Sequence, residues 1–329
     1  MLFISKTPLR VSLFGGGTDF PEYFKYNKGA VLGFAINKYI YTYASNMHDS
    51  VESNFRISYK KMESVNRIED INHPIIKAVL KQNSFIAKDK WHFGTLADVP
   101  AGTGLGSSSA FTVSFIKLVD KIKNKKKSKL NLAKYAHYIE RNLLKESVGL
   151  QDPFHTSFGG INLFRFYKDK ILNEKIIISK NKLQLINNSL LLCYFGNTRK
   201  SSKISSSHID KIKKGVNKVY LNDMYKSVNE AKKILNNMDG NKMLIELGKL
   251  LNINWHLKKK LSNNVSNKKI DELISFGISN GAYGAKLCGA GSGGFILFLI
   301  NKKLKNKLNK KLSPKYPCMD INIDFEGAV

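Results

Sequence analysis

The stretch "DVPAGTGLGSSSAF", Asp98 to Phe111, crowds Gly102, Gly104 and Gly106 against Ser107, Ser108 and Ser109. Before it, WHFGTLADVP (Trp91 to Pro100) reads as a strand closed by proline. After it, SSAFTVSFIKLVDKI (Ser108 to Ile122) reads as a helix that is apolar on most faces and therefore buried. A strand, a turn of small residues and a helix start aim backbone N–H groups and the positive end of a helix dipole at one point, which suits a phosphate. The glycines permit backbone conformations closed to other residues, and the serines add hydroxyls for phosphate oxygens or an accompanying magnesium ion. An ordinary loop with an N-capping serine has the same composition. The stretch lacks the lysine of a Walker A loop, misses the G-x-G-x-x-G dinucleotide spacing and is not joined by protein-kinase signatures. Taken alone, it leaves both readings open.

Two further glycine clusters bear on it. PLRVSLF alternates Leu9, Val11 and Leu13 with Arg10 and Ser12, the pattern of a strand with one polar face, and it runs into FGGGTDF (Phe14 to Phe20). There Gly16, Gly17, Thr18 and Asp19 suit a turn whose carboxylate receives substrate hydroxyls, or a plain turn with an Asp cap. CGAGSGG (Cys288 to Gly294) joins two apolar runs and on its own suggests a hairpin or bulge. Three such clusters point to one ligand-filled crevice.

Between them the pattern predicts two strands or one bent strand over Ala30 to Ala44, a strand at Phe55 to Tyr59 and a helix over His73 to Asn83. A helix over Leu130 to Glu146 capped by Asn131 follows, and then a short helix QDPFHTSF (Gln151 to Phe158) entering the strand INLFRFY. From about Gln184 the pattern changes to a strand LLLCYFG, three helical stretches over roughly Ser205 to Asn280, the glycine-linked strand pair, a helix Lys302 to Leu312 and a closing strand near Ile321 to Phe325. The expected division is 1–184 and 185–329, two halves packed closely, and 329 residues suit about two domains.

Composition narrows the function classes. No apolar run approaches the roughly 18 residues of a membrane span, and MLFISKTPLR is no secretory leader, so no membrane role and cytoplasmic residence are the default expectations. Cys193, Cys288 and Cys318 lie far apart, which predicts plain thiols; the seven histidines show no ligand spacing, so any metal should arrive with a ligand. The net charge of +29 admits nucleic acid or anionic substrates. Lysines are nevertheless spread through nearly every segment, and the densest run, KIKNKKKSKL (Lys121 to Leu130), carries no interleaved aromatics, so it reads as a solvated linker and no nucleic-acid partner is expected.

At this point the chain resembles the GHMP kinases, small-molecule kinases named for galactose, homoserine, mevalonate and phosphomevalonate. TPLRVSLFGGGTDF is similar to their first motif, PAGTGLGSSSA to the second and KLCGAGSGGF to the third, in the family's order and spacing. The resemblance implies an α+β class and a two-domain fold, a mixed-sheet N-terminal ATP-binding domain with a ferredoxin-like C-terminal domain, and ATP with Mg2+ as the reagents. It assigns Gly102, Thr103, Gly104, Leu105, Gly106, Ser107, Ser108 and Ser109 to the nucleotide phosphates, and Ser108 with Glu140 to the metal. Glu140 on a surface ion pair is the competing reading, and Glu146, six residues along a helix, would point about 120° away from it. Asp152 takes the family's catalytic aspartate position and Arg10 its cationic partner, keeping the carboxylate ionised and steadying charge on the reacting oxygen. A helix cap beside Pro153 is the alternative for Asp152. Sugar kinases of this group often carry Gln after that Asp; here Pro153 follows, which cannot donate the same hydrogen bond, and His155 could replace it or be structural.

FGGGTDFPEY resembles the sugar 1-kinases of the heptose 7-phosphate, fucose and related types, which places Gly16, Gly17, Thr18 and Asp19 on the substrate side, and Gly291 of the third motif is expected there with them. FGNTRKSSKI (Phe195 to Ile204) is similar to a T-R-x-S-x-x-I segment of D-glycero-D-manno-heptose 7-phosphate kinases, where Arg199, Lys200, Ser201 and Ser202 would receive a second phosphate; a basic helix start reads the same. The expected activity is transfer of the γ-phosphate of MgATP to the anomeric hydroxyl of a heptose 7-phosphate. A kinase for an unphosphorylated sugar such as fucose or galactose, and a non-catalytic sugar and nucleotide sensor, are the alternatives. The expected partner is a small-molecule sugar or sugar phosphate, with a homodimer left open.

Overall fold

The computed structural model describes residues 1–85, 89–196, 201–262 and 264–329, the side chains of 201–203 excepted. The first half of the chain runs β1 (Leu2–Phe14), α1 (Pro21–Phe24), β2 (Gly29–Met47), β3 (Phe55–Ser58), β4 (Met62–Val65), α2 (Pro74–Gln82), β5 (Lys90–Ala97), α3 (Ser107–Ile122), α4 (Lys129–Tyr138), α5 (Gln151–Phe158), β6 (Ile161–Phe166), β7 (Ile171–Lys175) and α6 (Lys180–Ser189). The second half follows as β8 (Leu190–Gly196), α7 (Ser201–Lys213), α8 (Lys218–Asn237), α9 (Gly240–Leu261), α10 (Lys268–Ser279), β9 (Ala282–Leu287), β10 (Gly294–Ile300), α11 (Lys302–Leu312) and β11 (Cys318–Asp320).

The first sheet is mixed, in the order β4-β3-β5-β2-β6-β7, with β1 pairing β2 and only the β3–β5 ladder parallel. β2 is the expected bent strand. It pairs β6 along its first part and β5 along its second, and the register slips where Pro8 and Leu9 oppose Tyr39 and Ile36. The second sheet, β11-β8-β10-β9, is wholly antiparallel. Its α9 lies over β9, while α8 reaches β1 and β2 of the first sheet. One apolar core runs through both halves, from Leu9, Val11 and Leu32 to Leu192, Leu244 and Leu297. The two sheets are thereby held as one body, with a cleft between them.

Four expectations are corrected. Four helices, not three, occupy the stretch from α7 to α10. Ser128, not Asn131, caps α4: its Oγ accepts from the Asn131 N–H at 3.2 Å, because the chain is still extended at Ser128. The closing strand near Ile321 does not form in the second sheet. β11 ends at Asp320, and the tail crosses to the first half, where Ile323 bridges Ile36 and Val329 exchanges backbone hydrogen bonds with Lys6. Cys193 and Cys318 are not plain thiols, because the β8–β11 register sets them opposite one another and they form a disulfide across 125 positions of sequence. Cys288 is free and buried.

Candidate active site

The three glycine clusters meet in one cleft. The loop from Gly102 to Gly106 is held from two sides: the Arg10 N–H donates to the Leu105 carbonyl at 3.0 Å, and the Phe295 N–H donates to the Thr103 carbonyl at 3.1 Å. Close approach then requires glycine. A Cβ built on Gly104 would lie 2.5 Å from the Cys288 carbonyl oxygen, and one on Gly289 would lie 2.4 Å from the Gly104 Cα. Gly106, at φ +74°, turns the chain into α3, and the Gly102 N–H donates to the Ser107 Oγ at 3.2 Å. This leaves the start of α3, with Ser108 exposed, at the cleft wall. The cavity there measures about 420 Å³ and is lined from both sheets.

Arg10 and Asp152 come together in it. The Arg10 Nε donates to Asp152 Oδ1 at 2.8 Å and Nη2 donates to Oδ2 at 2.7 Å, a planar fork on a carboxylate. The remaining Nη1 donates to the Gly104 carbonyl at 2.7 Å, so one guanidinium ties the carboxylate of α5 to the glycine loop. Arg10 is buried, while the Asp152 side chain keeps 27% of its surface open to the cavity. The polar face of β1 therefore meets the cleft and not bulk water, and Ser12 shares it.

Glu140 is buried, its Oε2 accepting from Ser109 Oγ at 2.8 Å and its Oε1 from Thr112 Oγ1 at 3.0 Å; burial raises its pKa to about 7. Serine–carboxylate contact thus runs through Ser109, with Ser108 beside it on the cavity. The helical arithmetic that set Glu146 aside fails here. The chain leaves α4 through a π-helical segment, Ile139–Leu143, and is no longer helical at Glu146, so Glu146 lines the same cavity as Glu140. Each carboxylate oxygen of Glu140 keeps a second lone pair beyond the hydroxyl it accepts. The set of Glu140, Glu146 and the α3 hydroxyls fits a hard divalent cation, which commonly takes one or two carboxylates and completes its shell with water and phosphate oxygens.

Other predicted residues are placed differently. Gly16, Gly17 and Gly291 line the cavity. Thr103 and Leu105 belong to the loop through their backbone, but their side chains are buried, the Thr103 hydroxyl donating to the Pro100 carbonyl at 3.0 Å. Thr18 does not reach the cavity. Its hydroxyl donates toward the carbonyls of Gly15 and Ala30, both at 2.8 Å, and accepts from the Ala30 N–H. Asp19 is fully buried too, accepting from the N–H groups of Gly17 at 2.9 Å and Gln151 at 3.1 Å, with burial raising its pKa to about 6. These two pin the first glycine turn to the strand and to the start of α5, because main-chain donors surround them where substrate hydroxyls were expected. His155 lies in the core against Phe164, with neither ring nitrogen partnered and its pKa lowered by burial to about 3, and it does not supply the missing glutamine contact. Arg199 and Lys200 lie outside the described residues, as do the side chains of Ser201 and Ser202.

Sequence reasoning missed Gln151, His208, Lys258 and Lys286, all on the cavity. Gln151 Oε1, the Ser12 hydroxyl and both His208 ring nitrogens are buried without a protein partner. Lys286 Nζ donates to the Ser12 and Leu13 carbonyls at 2.8 and 2.9 Å, and burial lowers its pKa to about 7. The start of KLCGAGSGGF was the one signal pointing to Lys286. Nothing sets Lys258 apart in the run LKKKL.

Two family models match the chain: GHMP kinases N terminal domain over residues 74–160 and GHMP kinases C terminal over residues 241–317. A D-glycero-alpha-D-manno-heptose 7-phosphate kinase from Campylobacter jejuni is 32% identical over 98% of this chain and 97% of its own length. Among solved structures, a D-glycero-D-manno-heptose 1-phosphate kinase from Bacteriodes thetaiotaomicron superposes with a TM-score of 0.77 at 22% identity, covering 100% of this chain and 98% of that one. A putative sugar kinase from Campylobacter jejuni gives a TM-score of 0.75 at 26% identity, covering 100% and 97%.

Proposed function

Since the chain belongs to the GHMP kinase family, phosphotransferases with an alcohol acceptor, we propose that it carries the γ-phosphoryl group of MgATP to the anomeric hydroxyl of a heptose 7-phosphate. The nucleotide half is taken as 1–184 and the remainder as 185–329. The observation that carries the reading is the Arg10–Asp152 fork with its third contact on the Gly104 carbonyl. It fixes a carboxylate at the edge of a loop suited to phosphates, which is where an attacking hydroxyl has to be oriented.

In this reading the N–H groups at the start of α3 and the Gly102–Gly106 backbone receive the nucleotide phosphates, and Asp152 accepts or orients the proton of the sugar hydroxyl. Arg10 holds Asp152 in place and stabilises negative charge as it develops on the reacting oxygen. Phosphoryl transfer asks mainly for alignment and charge neutralisation, so these groups suffice. Glu140 and Ser108, with Glu146 and Ser109 beside them, would hold Mg2+, which supplies charge neutralisation on the phosphate oxygens when bound.

A polyol acceptor is favoured by the unpartnered Gln151 Oε1, Ser12 Oγ and His208 nitrogens, since buried polar atoms without partners cost roughly 1–3 kcal/mol each until a ligand satisfies them. Gln151 stands immediately before Asp152 and offers the side-chain amide that Pro153, after it, does not. The heptose 7-phosphate is favoured over fucose or galactose by the segment Phe195 to Ile204 and by the relative from Campylobacter jejuni. A coupled assay of ATP consumption against heptose 7-phosphate, mannose, fucose and galactose tests this. Turnover confined to an unphosphorylated sugar, with Arg199→Ala leaving its KM unchanged, supports the second substrate class. No turnover above the Asp152→Asn variant refutes the kinase reading.

A further inference from the structure

Lys258 occupies a place in the cavity that none of the three motifs explains. It projects from α9, and its Nζ donates to the carbonyl of Gly289, the residue whose Cα stands against Gly104. It lines the cleft together with Arg10, Asp152 and Ser108. Among the described residues, the other two cations on the cavity are already engaged. Arg10 spends its fork on Asp152 and its last nitrogen on the Gly104 carbonyl, and Lys286 is held by the carbonyls of Ser12 and Leu13. Among the described residues Lys258 forms no ion pair, and a neutral carbonyl takes only one of its three N–H groups. Burial, with Arg10 nearby, lowers its pKa to about 8. The Asp152 carboxylate nearby offsets this only in part, and an ammonium with no ion pair of its own in the cleft is relieved by an arriving anion.

We propose that Lys258 is a catalytic cation that touches the terminal phosphoryl group of the nucleotide as it passes to the acceptor. The inference rests on the phosphotransferase reading above and adds a residue to it. Position selects this phosphoryl group over a phosphate at the far end of the sugar. The Gly289 carbonyl that Lys258 grips belongs to the turn packed on Gly104, and the Gly104 carbonyl is the one that Arg10 grips, so the two cations bracket the same glycine contact with Asp152 close by. Phosphoryl transfer spreads negative charge over the equatorial oxygens, and a fixed ammonium positioned against them in the cleft stabilises that charge more than it stabilises the bound ground state.

The test compares the wild type with Lys258→Met and Lys258→Arg, first by calorimetric titration with MgATP and MgADP. The wild type should bind MgATP about tenfold more tightly than MgADP, Lys258→Met should bring the two together while leaving MgADP affinity unchanged, and Lys258→Arg should keep most of the difference. With sugar present, kcat of Lys258→Met should fall by about 100-fold while the sugar KM stays within about twofold. Unchanged discrimination between the nucleotides in Lys258→Met overturns the proposal, as does an effect confined to the KM of a phosphorylated sugar. The titrations need no sugar. A wild type that discriminates through Lys258 yet phosphorylates none of the sugars sinks the substrate reading and not this one.

Discussion

Replacing Gly289 by alanine should damage the protein out of proportion to the single methyl group it adds. Gly289 sits at φ +73°, and its new Cβ would lie 2.4 Å from the Gly104 Cα and 3.1 Å from the Gly104 carbonyl oxygen, so main chain meets main chain and no flexible side chain can turn aside. Gly215, after α7, provides the control: its φ is +71° and a Cβ there meets nothing within 4 Å. Both alanines bear the left-handed backbone cost of about 1–2 kcal/mol. Only Gly289→Ala adds overpacking, typically about 1–3 kcal/mol, so it should lose about that much more stability than Gly215→Ala. Urea unfolding of the two variants and the wild type, compared by midpoint at equal slope, measures the difference. The same displacement moves Gly104, whose carbonyl anchors Arg10, so MgATP affinity should fall at least tenfold in Gly289→Ala and stay unchanged in Gly215→Ala. Equal destabilisation of both variants, with nucleotide binding intact in both, would refute the apposition of the two glycine turns.

Asp152→Asn should keep the fold and the nucleotide KM while kcat drops by about 10²–10⁴, the range for losing a positioned general base; a kcat within threefold of wild type contradicts that role. His155 makes a pH prediction. Its folded pKa of about 3 lies below the ordinary value of 6.5, so the unfolded chain binds the proton first, and the contribution to stability present above pH 6.5 is lost as pH falls toward 3, at about 1.4 kcal/mol per unit. Asp19 and Glu140, with raised pKa values, act in the opposite direction, so the test is the difference between wild type and His155→Leu: it should shift in favour of the variant below pH 6.5 and be flat above it. Thiol titration of the denatured, unreduced chain should count one reactive sulfur, Cys288, and three after reduction; three without reductant would mean that the Cys193–Cys318 bond does not form in solution.

The strand, loop and helix around Gly102–Gly106 were legible because each signal is local: β1 alternates, glycines break it, and α3 is apolar nearly all round. The meeting of the three glycine clusters could be guessed from their number, but its form could not, since the contact between Gly104 and Gly289 joins backbones 185 positions apart. Thr18 and Asp19 misled because a hydroxyl and a carboxylate after a glycine turn serve equally to receive a sugar or to tie down main-chain amides, and here the amides of Gly17 and Gln151 are within reach. Glu146 misled because periodicity assumes an unbroken helix, and the widened turn at Ile139–Leu143 ends it. β11 is only three residues long and pairs one edge, too little for an alternation to register. Lys258 was hidden by company: among 54 lysines and arginines, one that turns inward carries no mark of its own, and Lys286 is marked only by its place at the start of KLCGAGSGGF.

That crowding separates the charge of the molecule from the charge of the cleft. The +29 is spread through the chain, whereas the cavity has its own division of signs. Glu146 stands close enough to Glu140 on one flank to add to the cost of ionising Glu140, and Lys258 stands with Arg10 on the flank of Gly289; Asp152 lies near both groups. A neutral sugar alone relieves neither flank. It could satisfy Gln151, Ser12 and His208, yet it would leave a buried carboxylate without a cation and a lysine without an anion. A divalent cation carried on a polyphosphate, as proposed above, would answer both at once and leave the uncharged remainder between them for a sugar. This argues against a sensor that reads sugar only. It also explains why the groups gathered at the glycine turns include both signs, although the surface around them is so heavily biased to one.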